Sequence, residues 1–317
     1  MKVLITAFPF GTSQSSLKLL QSAGLEYQVS PFKRRLTEME LIQLIPGTSI
    51  LIAGTEPITA RVLDAAPQLQ LIARVGIGLD NVDLQAARKR GIAITYTPDA
   101  PAPAVAELTV GLMIDLLRGI SRADRLMHGK QWRRILGRRL DGLTVGVVGV
   151  GRVGKRVIRI LTGGFPNVSV LANDIAPDHS IGVKWTQKSE LYAVSDIITL
   201  HLPLTGVTRH LISEREVQMM KSTAFIINTS RGEIVDEGAL ASALTSGRLA
   251  GAAIDVFEHE PYSGPLTGIE ECILTCHMGS MSEDCRAAME IEAVEDVLRF
   301  VRGEPVKQPV PEAEYIL

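Results

Sequence analysis

The sequence predicts an α/β protein built from two doubly wound domains. Three observations carry that expectation. First, 317 residues exceed one ordinary hydrophobic core and are comfortable for two. Second, short apolar strand signals alternate with helical periodicity, the pattern of parallel sheets covered by helices. Third, a strand, a glycine turn and a helix, TVGVVGVGRVGKRVIRIL, begin only at Thr144. A whole α/β series has already passed by then, so a second one starts there.

The elements follow in chain order. Lys2–Ala7 (KVLITA) is a strand, and Ser15–Ser22 is helical. Leu25–Val29 is a second strand and Glu38–Leu44 a short helix. Ser49–Ala53 (SILIA) is an apolar strand bounded by Gly54. Thr59–Ala66 is a helix closed by Pro67, and Leu69–Val75 is a strand running into GIGLDNVD. Leu84–Arg90 is a helix closed by Gly91, and Ile92–Thr97 a strand ended by Pro98. Pro98, Pro101 and Pro103 make a boundary. Ala104–His128 then has apolar positions at helical spacing, so one long helix is expected, linking the domains or forming a dimer contact. The second series is Thr144–Val148, Arg152–Leu161, Ser169–Asn173, Glu190–Val194, Ile197–Leu200, Glu214–Met220, Ala224–Asn228, Glu237–Thr245, Ala252–Val256 and Cys272–Thr275. Ser282–Val301 is a closing helix placed to cross back onto the first domain.

Composition excludes several function classes. Hydrophobic content is 46% and charged content 21%, as in soluble globular proteins. A net charge of -2 gives no nucleic-acid footprint. No apolar run is long enough to cross a bilayer, so no membrane partner is expected. The start, MKVLITAFPF, lacks a small-residue cleavage site and reads as a first strand rather than a signal peptide. Cys272, Cys276 and Cys285 form no disulfide framework, which makes a reducing cytoplasm the default. Their spacing with His277, CxxxCH, matches no common zinc pattern, and no metal is expected.

The glycine turn carries the first chemistry. Gly149, Gly151 and Gly154 form GxGxxG between an apolar strand and a helix. The glycines permit a tight turn, and the helix N-terminus offers N–H groups to a pyrophosphate. The next strand ends at Asp174, twenty residues beyond Gly154, where an acid would bind the adenosine ribose hydroxyls. A carboxylate there repels a 2′-phosphate, and Ile175 rather than Arg follows it. NAD is expected over NADP.

Three stretches beyond the turn suit chemistry on a bound coenzyme. INTSRGEIVDEGAL holds Arg231, AAIDVFEHEP holds Asp255, Glu258 and Glu260, and ILTCHMGS holds His277. Each begins in an apolar strand, and open α/β sheets bind ligands at strand carboxyl ends. Taken singly, Arg231 could cap a turn, Glu260 could be a solvated acid and His277 a structural histidine. Together they suit hydride transfer to a carbonyl. Such a reaction needs a proton donor near neutral pH, which His supplies. It also needs positive charge near the developing alkoxide, which Arg supplies. An adjacent Glu would stabilise the imidazolium.

At these residues the chain resembles the D-isomer-specific 2-hydroxyacid dehydrogenases. The similarity runs through VGIGLDNVDLQAARKRGI, AVAELTVGLM, GVVGVGRVGKRV, HLPLT, NTSRGEIVDEGAL, DVFEHEP and HMGS. It implies a split architecture. A flavodoxin-like substrate domain would comprise 1–100 plus 285–317, with an inserted Rossmann NAD-binding domain at 101–284. It implies catalytic roles for Arg231, Glu260 and His277. It places coenzyme contacts at Gly149, Gly151, Arg152, Val153, Gly154, Asp174, Pro203, Thr229 and Asp255, with Asp255 facing the nicotinamide carboxamide. Val75, Gly76, Ile77 and Gly78 would offer backbone N–H groups to a substrate carboxylate.

Within the family, ARVGIGLDNVDL with Arg74 is similar to the D-3-phosphoglycerate dehydrogenases, where Arg at this place helps hold the substrate phosphate. The expectation is therefore a short form without a regulatory domain, interconverting 3-phosphoglycerate and 3-phosphohydroxypyruvate in serine biosynthesis. There are departures. A second phosphate-contacting Arg of some members is Gly54 here, and the Pro that usually precedes the catalytic His is Cys276. One alternative is a glyoxylate or hydroxypyruvate reductase. Another, of a different class, is an NADH-sensing corepressor-like binding protein. The resemblance also implies a homodimer, with Ala104–His128 as the contact. Arg133, Arg134, Arg138 and Arg139 read as a solvated basic face or as charge lent to a partner subunit.

Overall fold

A computed structural model of the chain describes residues 1–11 and 14–315; Thr12, Ser13, Ile316 and Leu317 lie outside the described residues, so the last two residues of the expected tail do too. The chain divides into two compact units, 1–101 with 281–317, and 102–280.

The first unit runs β1 (Lys2–Ile5), α1 (Gln14–Ser22), β2 (Glu26–Val29), α2 (Glu38–Leu44), β3 (Ile50–Ala53), α3 (Ala60–Asp64), β4 (Leu71–Arg74), α4 (Leu84–Lys89) and β5 (Ala93–Tyr96). The strands pair in parallel in the order β2-β1-β3-β4-β5. Parallel sheets carry helices on both faces, and β3 and β4 are accordingly buried at every residue. The short helices start on side-chain caps. Thr37 and Glu40 close a capping box on α2, Thr59 caps α3 and Asp83 caps α4. Leu51, Ile72 and Ile94 from the sheet pack with Ile58, Val62 and Leu63 in one core. The strand order reverses between β1 and β3, which makes the carboxyl ends of those two strands a topological switch point.

The second unit runs α5 (Ala102–Arg118), α6 (Ile120–His128), β6 (Thr144–Val148), α7 (Arg152–Gly164), β7 (Ser169–Asn173), β8 (Lys184–Trp185), α8 (Lys188–Val194), β9 (Ile197–Leu200), α9 (Glu214–Met219), β10 (Phe225–Asn228), α10 (Glu237–Thr245), β11 (Gly251–Ile254) and β12 (Cys272–Leu274). Its sheet is parallel throughout, in the order β12-β11-β10-β9-β6-β7-β8. Here the order reverses between β6 and β9. The core stacks Val145, Val147 and Ile197 of the sheet against Val157, Ile158 and Leu161 of α7 and Met113 of α5. After β12 the chain returns to the first unit as α11 (Glu283–Val301), which packs on α1 and β4. No helix among the described residues is long and apolar enough to cross a membrane.

One expectation is corrected. Ala104–His128 is two helices, α5 and α6, separated at Gly119. Gly119 takes a left-handed φ of 60°, which glycine tolerates without strain. The Gly119 N–H still donates to the Asp115 carbonyl at 2.6 Å. The Asp115 carboxylate then accepts from the Ser121 N–H at 2.8 Å and so restarts the helix. Apolar periodicity alone does not register such a break. The two-residue strand β8 is too short to show a period in the sequence.

Candidate active site

The dinucleotide turn gives each glycine a separate task. Gly149 leaves β6 with a φ of +90°, and a Cβ there would stand 2.3 Å from the His201 carbonyl oxygen. Only glycine lets the turn close against the end of β9. Gly151 starts α7 without a side-chain cap, and a Cβ there would meet nothing within 4 Å. The space outside it is open, so an anion can reach the backbone at the helix start. A Cβ on Gly154 would lie 2.1 Å from the Gly149 carbonyl oxygen, so the third glycine lets helix and turn touch.

Asp174 follows β7 and is held beside that turn. Its Oδ2 accepts from the Val150 N–H at 2.6 Å and its Oδ1 from the Ala176 N–H at 2.9 Å. A pocket of about 490 Å³ opens here, lined by Gly151, Arg152, Asp174 and Ala176 together with Lys155, Arg156 and Arg159 of α7. Lys155 is paired with Asp178 at 2.9 Å. Val153 turns to the core side of α7. Pro203 lies in the loop after β9, where its carbonyl accepts from Thr208 Oγ1 at 2.7 Å. Thr229 follows β10, is buried, and sits 3.0 Å from Thr109 Oγ1 on α5. These groups fit an adenine dinucleotide. Open amides and Arg152 would take the pyrophosphate, and Asp174 would take the ribose.

Arg231, Glu260 and His277 stand beyond the carboxyl ends of β10, β11 and β12, three neighbouring strands. His277 Nδ1 faces both Glu260 oxygens, at 3.0 and 2.9 Å. The carboxylate therefore fixes the ring proton on Nδ1 in the neutral form and leaves Nε2 for proton exchange. Arg231 is half-buried, and its Nη1 donates to the Ser230 carbonyl at 2.7 Å. Its turn is organised by Asn228, which is fully buried. Asn228 Nδ2 donates to the Arg231 carbonyl at 2.7 Å, and its Oδ1 accepts from Ser230 Oγ at 2.7 Å.

Two positioning residues were not foreseen in these roles. Asp255, 1% exposed, accepts from Thr275 Oγ1 at 2.6 Å, Met278 N–H at 2.9 Å and Gly279 N–H at 2.9 Å. Its carbonyl also accepts from the His277 N–H at 2.7 Å. His277 has a φ of 52°, a region disfavoured for side-chain-bearing residues, and Asp255 holds the turn on both sides of it. The second is Gly232. A Cβ there would lie 1.9 Å from the Phe257 carbonyl carbon, so the turn bearing Arg231 rests on the loop bearing Glu260. The doublet Arg231-Gly232 at a strand end is the only local signal of that contact.

The first unit holds the residues expected to take substrate. Not all their donors are available. The Val75 N–H donates to the Ala53 carbonyl at 2.9 Å and the Gly76 N–H to Thr97 Oγ1 at 2.7 Å. Among the described residues, no partner accepts from the Ile77 or Gly78 N–H. Arg74 is only 4% exposed. Its Nε donates to Asn81 Oδ1 at 3.4 Å and its Nη1 to the Val75 carbonyl. A Cβ on Gly76, whose φ is +140°, would stand 2.5 Å from that Nη1. The guanidinium therefore lies directly behind the loop.

The cysteines divide by environment. Burial pushes the Cys272 thiol up to about 12 and the Cys285 thiol up to about 11, whereas Cys276 is exposed. No cluster of three or more His, Cys, Asp or Glu side chains suited to a metal occurs among the described residues.

Comparison with known proteins places this geometry. Residues 110–279 match the family model described as D-isomer specific 2-hydroxyacid dehydrogenase, NAD binding domain. The chain is 35% identical over 314 residues to D-3-phosphoglycerate dehydrogenase of Methanocaldococcus jannaschii, covering 96% of this chain but 58% of that protein. It is 38% identical over 269 residues to glyoxylate reductase of Thermofilum pendens, covering 81% and 79% respectively. Among solved structures, D-lactate dehydrogenase from Aquifex aeolicus, complexed with NAD and lactic acid, superposes with a TM-score of 0.87 at 26% identity, over 97% of this chain and 98% of that one.

Proposed function

The chain belongs to the D-isomer specific 2-hydroxyacid dehydrogenases and carries their NAD-binding domain, and on that premise we propose that it interconverts a small D-2-hydroxy acid and its 2-oxo acid. Held at the glycine turn and Asp174, NADH would supply the hydride that reduces the carbonyl. His277 Nε2 gives the proton to the carbonyl oxygen, and Arg231 stabilises the negative charge that develops there. Glu260 holds the imidazole in the required tautomer and offsets the charge of its protonated form. Oxidation runs the same steps backwards.

The observation that carries this reading is the His277–Glu260 pair, 2.9 Å apart, at the strand ends of the sheet that bears the glycine turn. His277→Ala is expected to lower kcat by about 10²–10⁴-fold, the usual contribution of a general acid, while NADH binding measured by fluorescence stays near wild type. Turnover like that of wild type in this variant would sink the assignment.

Two far-end groups suit such an acid. The likeness at Arg74 supports a phosphate, as in 3-phosphoglycerate and 3-phosphohydroxypyruvate; the alternative is glyoxylate or hydroxypyruvate. Relatives bear names of both kinds. A homodimer is part of the proposal. Helix α6 has no buried residue, and Ile120 and Met127 are 54% and 52% exposed, leaving apolar surface for a second copy to cover.

A further inference from the structure

Helix α7 carries four cations, Arg152, Lys155, Arg156 and Arg159, and no acid. Each has a like charge three or four residues away, and such pairs oppose a helix. Cations near the helix start oppose the macrodipole as well. Two of the four are accounted for. Lys155 is paired with Asp178 at 2.9 Å, and Arg152 stands where a pyrophosphate would lie. Arg156 and Arg159 are about 6 and 10 Å further along the axis. Among the described residues, neither has an acidic partner.

Both line the pocket beside the glycine turn. Long side chains on a helix lean back toward its N-terminus. Arg156 does so, since its Nη1 donates to the Arg152 carbonyl at 2.9 Å. Asp174 and Ala176 line the same pocket. Asp174 is not a bare charge, because both of its oxygens accept backbone N–H groups. Ala176 is small, and the Ile175 side chain is fully exposed and lines no part of the pocket. A ribose hydroxyl that donates to Asp174 therefore has its oxygen in this pocket. A phosphate on that oxygen would meet one hydrogen-bonded carboxylate and two guanidiniums that lack an acid. Guanidinium forks match phosphate oxygens. In sequence, an Arg beside the ribose acid is the sign of a 2′-phosphate, and Ile175 withholds it. The helix supplies the charge from positions 156 and 159 instead.

We propose that Arg156 and Arg159 are specificity-determining residues for the coenzyme: they take a phosphate on the adenosine ribose, so the glycine-turn site accepts NADPH beside NADH. This rests on the coenzyme site and not on which acid is reduced, so binding without substrate tests it. Calorimetric titration compares NADH with NADPH in wild type, in Arg156→Gln with Arg159→Gln, and in Arg156→Lys with Arg159→Lys. Wild type is expected to bind NADPH within about tenfold of NADH, the like charge of Asp174 keeping NADH ahead. The double Gln variant should weaken NADPH by at least about tenfold more than NADH, the scale of one lost hydrogen bond to a charged group. The double Lys variant, which keeps the charge, should recover most of that loss. Added salt should weaken NADPH more than NADH, because exposed charges are screened. A wild type that disfavours NADPH by more than about tenfold, or a double Gln variant that weakens both coenzymes alike, would overturn the proposal and leave an NADH site. Failure of both coenzymes to bind wild type would overturn the site itself. If the variants do not fold, the wild-type ratio and its salt dependence decide.

Discussion

The two switch points of this molecule are built alike and filled differently. Both lie at the carboxyl ends of adjacent parallel strands where the sheet order reverses, β1 and β3 in one unit, β6 and β9 in the other. At the second, glycine backbone and an uncapped helix start face a pocket of about 490 Å³ with Arg152 at its rim. At the first, the Glu56 carboxylate has consumed the amide and hydroxyl donors. The lesson is that topology only marks where a ligand can go. Which charges stand at the strand ends decides what it is.

Three substitutions probe that contrast, beginning with the most severe. Gly149→Val would drive a branched side chain into the His201 carbonyl, already 2.3 Å from an ideal Cβ. NADH affinity is expected to fall by at least about 10²-fold, since a 1.4 kcal/mol loss is tenfold and overpacking costs more than that. Calorimetric titration with NADH measures this; unchanged affinity would mean the turn is not the coenzyme site. Asp174→Asn removes the charge and one of the two acceptors that the Val150 and Ala176 N–H groups use. The kcat/KM ratio of NADH to NADPH should drop by about tenfold, the size of one lost like-charge opposition. A ratio that does not move would free Asp174 of any role in choosing the coenzyme. Thr37→Ala is the mildest. It removes the α2 cap and should cost about 1 kcal/mol in denaturant unfolding with kcat and KM untouched.

Much of the fold was legible because it is written locally. Apolar runs such as SILIA and FIIN are bounded by glycine or polar residues, and the helices between them carry their own caps. The break at Gly119 was not legible, because the apolar period of α5 runs up to it and a single glycine is compatible with a helix. In the site, Gly149, Gly151 and Gly154 announce themselves by spacing and by the strand before them. The arrangement around Glu56 does not. It joins residues 6, 54, 56 and 81, which only the parallel sheet brings together, and GTE after a strand is an unremarkable tripeptide. Asp255 was singled out for the coenzyme, yet its grip on residues 275–279 depends on the register of β11 beside β12. Sequence does not reveal that Ala53 and Thr97 accept from the Val75 and Gly76 amides, which leaves those two donors engaged within the unit.

Residues 102–280 hold the glycine turn, Asp174, Arg231, Glu260 and His277 within one continuous stretch. The two ends of that stretch are spliced into the first unit. In evolutionary terms, the stretch can be inherited as a fixed cassette while the flanking unit drifts. An engineer can treat the flanking unit as the interchangeable part for the same reason.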